Sequence, residues 1–385
     1  MPARPLDDVL LELQELALAT VAPQAQRIDQ AGEWPETSLR ALQKAGMGGL
    51  VVPEEKGGLG HGLYGLMRAC ETLGQHCAST AMCYGMHAVG SAVIAAKATR
   101  EQTQLYLEPI VRGRHLTTLA LSEPGSGSHF YLPEMRIERL ARGYRLDGTK
   151  SFVTNGSHAD SYVMSGVSEA GATPGVFSML VVPGDSPGME WSAEWQGSGM
   201  RGNSSRNVDL RGVELGPHAL LGEEGEQAWY VFNVVAPFFL TAMAGTYLGV
   251  AQGALDETRQ HLQTRRHAHS GQTLAQSALL QHRIGSLWGM LERARRLCYY
   301  AAEQGDSHGP DAMPAILSSK AEAADAAVTI ANECLTLAGG IGYARGSRFD
   351  RHLRDARAAH VMAPTTDLLR TWTGRWLLGE PLLSG

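Results

Sequence analysis

From residue 227 to residue 255 the chain carries no charged side chain, so any fold it adopts must keep this stretch out of water. The run is long enough to cross a bilayer. Pro237 interrupts its middle, however, and Asn233, Thr241, Thr246 and three glycines dilute it. On a hydropathy criterion that composition suits a buried core helix better than a membrane span, and no membrane span is expected. The sequence around and after it is helical in pattern. Segments 244–263, 279–303 and 315–338 are each long enough for a bundle. Gly339-Gly340-Ile341-Gly342 ends the third, and a last helix is expected from about Thr365 to Leu378.

The chain opens in the same way. Leu6, Val9, Leu10, Leu13, Leu16 and Ala17 recur at helical spacing. A second helix is predicted from Pro35, a residue suited to a first turn, to Gly46. Two more are expected between Gly62 and Lys97, and another over 100–112. Asp7, Asp8, Glu12 and Glu15 interrupt any apolar leader, so no signal peptide is expected.

Near Thr117 the character changes. Thr117-Thr118-Leu119-Ala120-Leu121 reads as a strand, and 163–166 and 176–182 are further candidates. Asn207-Val208-Asp209-Leu210-Arg211 alternates apolar and polar, with Gly212 placed for a bulge or turn. Gly143 and Asp147-Gly148 supply turns between them. A compact β domain follows, over 116–225, between helical domains at 1–115 and 226–385. With 33 Lys+Arg against 39 Asp+Glu, the net charge of −6 argues against a nucleic-acid partner held through phosphates. The five cysteines form no C-x-x-C pair. Neither a disulfide framework nor a metal site is therefore expected, and a reducing cytoplasm is the simplest location.

Two segments carry chemistry. Ser122-Glu123-Pro124-Gly125-Ser126-Gly127-Ser128 follows a predicted strand. Its glycines let backbone approach a ligand, and its N–H and hydroxyl donors suit a flavin edge or a phosphate, although an ordinary tight loop reads the same way. It is neither a P-loop nor a nucleophile elbow. Lys150-Ser151-Phe152-Val153-Thr154-Asn155-Gly156 ends a second strand, with Phe152 able to pack on a ring and Thr154 to donate a hydrogen bond; the plainer reading is one core aromatic. Gly340-x-Gly342 follows a helix pattern, which does not suit a Rossmann loop.

Taken in order, these pieces resemble the acyl-CoA dehydrogenase family over nearly the whole chain. Residues 121–128 are close to that family's T-E-P-G-A-G-S-D, and 150–156 to its K-x-W-I-T-N-G. Residues 201–210 and 220–225, then Gly339-Gly340-Ile341-Gly342 and Arg354-Asp355-Ala356, follow in family order. The resemblance implies an α+β fold with a helical N-terminal domain, a β-barrel-like middle domain and a C-terminal four-helix bundle. It also implies FAD between the last two, an acyl thioester of CoA or acyl-carrier protein on the flavin's other face, a flavoprotein electron acceptor and a homotetramer. By position, Leu121, Ser122, Gly127, Ser128, Phe152 and Thr154 would line the flavin, with Gly339 and Gly340 near the adenosine half on a partner subunit. Arg266, or Arg265, would meet the pyrophosphate. The surrounding R-x-x-F-G is altered, with His269 and Ser270 in the Phe-Gly places.

The resemblance breaks at the base. Dehydrogenating an acyl thioester needs a group that removes the α-proton while the β-hydride leaves, a task suited to a carboxylate in a dry site. Where the family has Y-E-G-T, this chain has Met362-Ala363-Pro364-Thr365, with Ala363 in the Glu place. Counting back from Ala244-Gly245 to the base position used by other relatives gives Phe238. His87, His360 and His129 are the candidate substitutes, since imidazole titrates near neutrality. Asp367 is better explained as a first-turn acid favoured by the helix dipole. The expectation is an FAD-dependent α,β-dehydrogenation of an acyl thioester with a non-standard base. A flavin monooxygenase of the same fold and a non-catalytic thioester or flavin binder are the alternatives.

Overall fold

The computed structural model describes residues 4–170 and 176–383. The N-terminal domain holds α1 (Leu6–Leu16), α2 (Ala22–Ala31), α3 (Glu36–Lys44), α4 (Leu63–His76), α5 (Ala78–Ala96), α6 (Arg100–Gln102) and α7 (Glu108–Val111). Asp7 and Asp8 lie in the first turn of α1, where acids favour the helix dipole, and Val9, Leu10 and Leu13 give it a buried face. A π-helical segment, Ala17–Val21, joins α1 to α2. α5 is buried along nearly its whole length. Gly46 ends the region after α3 at φ 78°, a left-handed conformation glycine adopts without strain.

The middle domain is one mixed sheet of eight strands: β1 (Thr117–Ala120), β2 (Arg136–Leu140), β3 (Gly143–Val153), β4 (Ser161–Ala170), β5 (Phe177–Pro183), β6 (Met189–Trp191), β7 (Arg206–Leu215) and β8 (Leu220–Leu221). The hydrogen-bonded order is β6-β7-β3-β2-β4-β5-β8, with β1 pairing in parallel against β4. β2 and β3 form an antiparallel hairpin, and β3 pairs antiparallel with β7 on its other edge. Inward residues such as Leu146, Tyr162, Leu180, Val208 and Val213 make this domain's own core.

The C-terminal domain holds α8 (Gln227–Tyr230), α9 (Ala236–Thr264), α10 (Ala278–Asp306), α11 (Ala312–Ala338), α12 (Arg348–Val361) and α13 (Thr366–Leu377). The uncharged stretch forms α8, a π-helical segment Val231–Val235, and most of α9. Of its most apolar window, 83% is buried inside the protein, so it serves as a core helix. Its three glycines face α4. A β-carbon at Gly245, Gly249 or Gly253 would lie 2.3 Å from the carbonyl oxygens of Met67, Glu71 and Gln75 respectively. Spaced four apart, they clear one stripe of α9 for backbone contact. α12 is absent from the sequence reading, because its charged residues mask a buried face of Phe349, His352, Ala356 and Ala359.

Candidate functional site

A cavity of about 510 Å³ opens where the sheet meets α5, α9 and α12. The first loop of the sheet leaves β1 at Ala120 and carries Leu121, Ser122, Gly127 and Ser128 along one wall. Phe152 and Thr154, at the end of β3, form the next, and Trp195, Met200, Asn203 and Ser205 close that side. Opposite stand Met82 and Met86 of α5, Phe239 and Leu240 of α9, and the segment after α12 with Met362, Ala363 and Pro364. All six residues expected at a flavin from the sequence are therefore brought together on one cavity.

The walls beside the sheet are held in unusual backbone. Phe152, Asn155, Met200 and Ser204 all have φ between 47° and 60°, costly for residues with a side chain. Paired loops stabilise them: the Asn155 N–H donates to Asn203 O at 3.0 Å, and the Gly156 N–H to Ser204 O at 3.0 Å. Asn155 is pinned further, its Nδ2 donating to Cys83 O while Trp34 Nε1 donates to its Oδ1, each at 2.9 Å. The result presents Phe152 with its side chain 65% exposed at the cavity mouth.

One acid lines the cavity, and it is already committed. The Glu123 carboxylate is paired with Lys150 Nζ, both side chains being almost wholly buried, and it accepts the N–H groups of Glu134 and Met135. Burial pulls the Lys150 ammonium down to about 8, against the pull of Glu123. This pair braces the loop against β3, so that among the described residues no carboxylate on the cavity wall is free for proton transfer.

A second buried lysine shapes the far wall. Lys320, on α11, donates from Nζ to the carbonyl oxygens of Ala359, Met362 and Pro364 at 2.7, 3.0 and 3.0 Å. Its three donors are used on the end of α12, where helix carbonyls lack partners of their own. Burial lowers it to about 7. Asp355 of α12 reaches the opposite side, accepting the Met200 N–H at 2.6 Å. Arg354 grips Asp29 through two hydrogen bonds of 2.8 and 2.6 Å, which ties α12 to α2. Sequence reasoning missed Lys320, although a lone lysine in the small apolar run of α11 was the available signal.

The three candidate histidines lie off the cavity wall. His87 is 1% exposed, and the Thr117 N–H donates to its Nδ1 while Nε2 donates to Gly48 O, both at 3.1 Å. Burial lowers it to about 4. Arg357 donates to Nδ1 of His360 at 2.8 Å, which places the proton on Nε2, directed at Asp325 Oδ1 3.1 Å away. His129 is exposed, its ring edge-on to Tyr131. Phe238 does not line the cavity and packs against the helical core, whereas its neighbour Phe239 stands on the wall. A one-residue slip on a helix turns a side chain by about 100°. Ala363 lines the cavity as expected. Arg266 lies on an exposed hairpin with Nη1 donating to Gly271 O at 2.8 Å, and Gly339 and Gly340 are exposed beyond α11; none of the three lines this cavity.

Three acyl-CoA dehydrogenase domain models match the chain in order: the N-terminal domain over 7–114, the middle domain over 118–213 and the C-terminal domain over 240–378. Cyclohexane-1-carbonyl-CoA dehydrogenase of Geobacter metallireducens is 31% identical over 96% of this chain and 96% of its own. The chain belongs to the acyl-CoA dehydrogenase family. Human mitochondrial short-chain specific acyl-CoA dehydrogenase is 26% identical over 94% of this chain and 87% of its own. In fold, butyryl-CoA dehydrogenase from Megasphaera elsdenii superposes with a TM-score of 0.90 over 98% of this chain and 99% of that one, at 22% identity. Family membership makes the chain an oxidoreductase of flavoprotein type.

The residues present fit the family's FAD. Trp195 Nε1 is a buried donor with no partner among the described residues, and it lines the cavity. Ser122 and Ser128 line the same cavity and place two hydroxyl donors beside it for the acceptor edge of a ring system. Gly127, at φ 52°, has open space where a β-carbon would stand. The bare face of Phe152 completes a surface able to take a flat aromatic.

Proposed function

We propose that this acyl-CoA dehydrogenase family member binds FAD against Ser122, Ser128, Phe152, Thr154 and Trp195 and oxidises an acyl thioester at its α,β bond. The thioester is carried by CoA or an acyl-carrier protein, and the electrons pass to another flavoprotein. The observation that carries this reading is the single cavity uniting both flavin motifs with the segment around Ala363. FAD would supply the hydride acceptor.

The chain's own part is to hold, orient and dry the substrate. Met82, Met86, Phe239, Leu240 and Met362 offer an apolar wall with no unpaired charge, which favours an uncharged acyl group. No described residue on the wall offers a titratable group to the α-carbon, since Glu123 is held by Lys150 and two backbone N–H groups. General-base help is worth about 10²- to 10⁴-fold, so substrates with an acidified α-proton should react fastest. The family relatives favour this reading over oxygenation or silent binding.

A homotetramer belongs to the same proposal. Arg266, Gly339 and Gly340 would then face a neighbouring subunit's FAD. The exposed Trp288, Ile341 and Tyr343, at 58, 57 and 81%, support a covered surface there. The test is an anaerobic titration of the flavin-loaded protein with butyryl-, isovaleryl-, cyclohexane-1-carbonyl- and glutaryl-CoA. Slow bleaching by the uncharged acyl groups and none by glutaryl-CoA is expected. Failure to bind flavin would overturn the reading.

A further inference from the structure

A second cavity, of about 440 Å³, lies between α2, the end of α4, α9 and the start of α12, and shares no lining residue with the first. Its walls are polar, and its charges do not all find partners. Glu257 is paired with Arg348 at 3.1 Å. Asp256 accepts from Gln75 Nε2 at 2.9 Å and from Arg259 Nη1 at 3.2 Å. Both acids on the wall are therefore occupied.

Arg351 is not. It is 6% exposed, and among the described residues its guanidinium makes one hydrogen bond, from Nη2 to the His76 carbonyl oxygen at 3.3 Å. It forms no salt bridge among the described residues, and the nearby Asp355 is directed at the Met200 N–H. Beside it His352 is 5% exposed and lines the same cavity. Gln26 donates to Gly346 O at 2.5 Å, but its own Oε1 is buried without a partner. Burial and the positive charges of Arg351 and Arg348 hold the His352 imidazole neutral. A guanidinium carries five donors in a planar fork, and an unpaired one in a buried site is costly until an oxyanion meets it.

We propose that this cavity binds a small molecule through its phosphate or carboxylate group, held in the fork of Arg351 with His352 and Gln26 beside it. The inference does not rest on the reading of the flavin cavity. Calorimetric titration of the purified protein with inorganic phosphate, at ionic strength fixed by chloride, tests it. Saturable binding in the millimolar range or tighter is expected, weakened about 10- to 100-fold in Arg351→Met by loss of charged hydrogen bonds. Arg112→Ala, at the exposed end of α7 and on the wall of neither cavity, should bind phosphate as the parent does. Parallel titrations with acetate and citrate distinguish a carboxylate ligand from a phosphate one, and competition by either against phosphate supports the site. A phosphate-soaked crystal of the unaltered protein decides the matter should Arg351→Met not fold, the ion being expected within hydrogen-bond reach of Arg351. Absence of saturable binding by all three anions, equal affinity in Arg351→Met, or an ion seated away from Arg351 overturns the proposal.

Discussion

His87 has no lone pair left to take a proton, because Thr117 donates to one ring nitrogen and the other donates to Gly48. A glutamine can make both bonds, accepting with its oxygen and donating with its nitrogen. His87→Gln should therefore leave the rate of flavin reduction within about two-fold of the parent, against the 10²- to 10⁴-fold loss expected for a true general base. Stopped-flow absorbance under anaerobic conditions measures it. Leu121, Ser122, Gly127, Ser128, Phe152 and Thr154 were legible from sequence because each sits in a short local motif whose order fixes its place. The places of the histidines were not, because they depend on tertiary contacts: His87 is held by Gly48 and Thr117 and His360 by Arg357 and Asp325, while His129 is exposed. That Phe239 rather than Phe238 reaches the wall was not legible either, since a count along a helix carries no information about which face is turned inward.

At the scale of elements, the contact of α9 with α4 follows from the four-residue spacing of Gly245, Gly249 and Gly253. The uncharged stretch announced a buried helix, and its glycines diluted the membrane reading. That the glycines mark a backbone-to-backbone contact shows only in the folded chain. Gly249→Ala places a methyl 2.3 Å from the Glu71 carbonyl oxygen and 2.6 Å from the Gln75 nitrogen, both backbone atoms. Overpacking of this kind costs about 1–3 kcal/mol or more, read as a lower urea midpoint. Ala is otherwise the better helix former by about 1 kcal/mol, so an unchanged or raised midpoint would refute the close contact. α12 escaped the sequence reading because Arg348, Asp350, Arg351, Arg354, Asp355 and Arg357 hide its apolar face. Three of those charges find partners, Arg348 on Glu257, Arg354 on Asp29 and Asp355 on the Met200 N–H, while the Arg351 guanidinium has no salt-bridge partner among the described residues.

For the whole molecule, stability should fall on acidification. His87 and His352 are buried neutral, burial lowering them from 6.5 to about 4 and about 3. Between pH 6.5 and 4 the unfolded chain takes up these two protons and the folded chain does not, so stability is lost as pH drops. Asp355 opposes this: burial raises it from 3.8 to about 6, so the folded chain binds its proton first and gains between pH 6 and 4. Two histidines against one aspartate leave these three groups a net loss of about 1.4 kcal/mol per pH unit in that window, and burial, which also lowers His61, His76, His115 and His158, acts in the same direction. Urea midpoints at pH 6.5, 5.5 and 4.5 check the slope, and a rise on acidification would contradict it.

The central claim is that the cavity is a dehydrogenase site lacking only its proton acceptor. Ala363 stands on the cavity wall, in a segment held by Lys320 through three carbonyl oxygens. The most direct measurement is the anaerobic rate of flavin reduction by butyryl-CoA in the parent and in Ala363→Glu. The account predicts an acceleration of about 10²- to 10⁴-fold with flavin content unchanged. Equal rates in a variant that still binds flavin and thioester would contradict it.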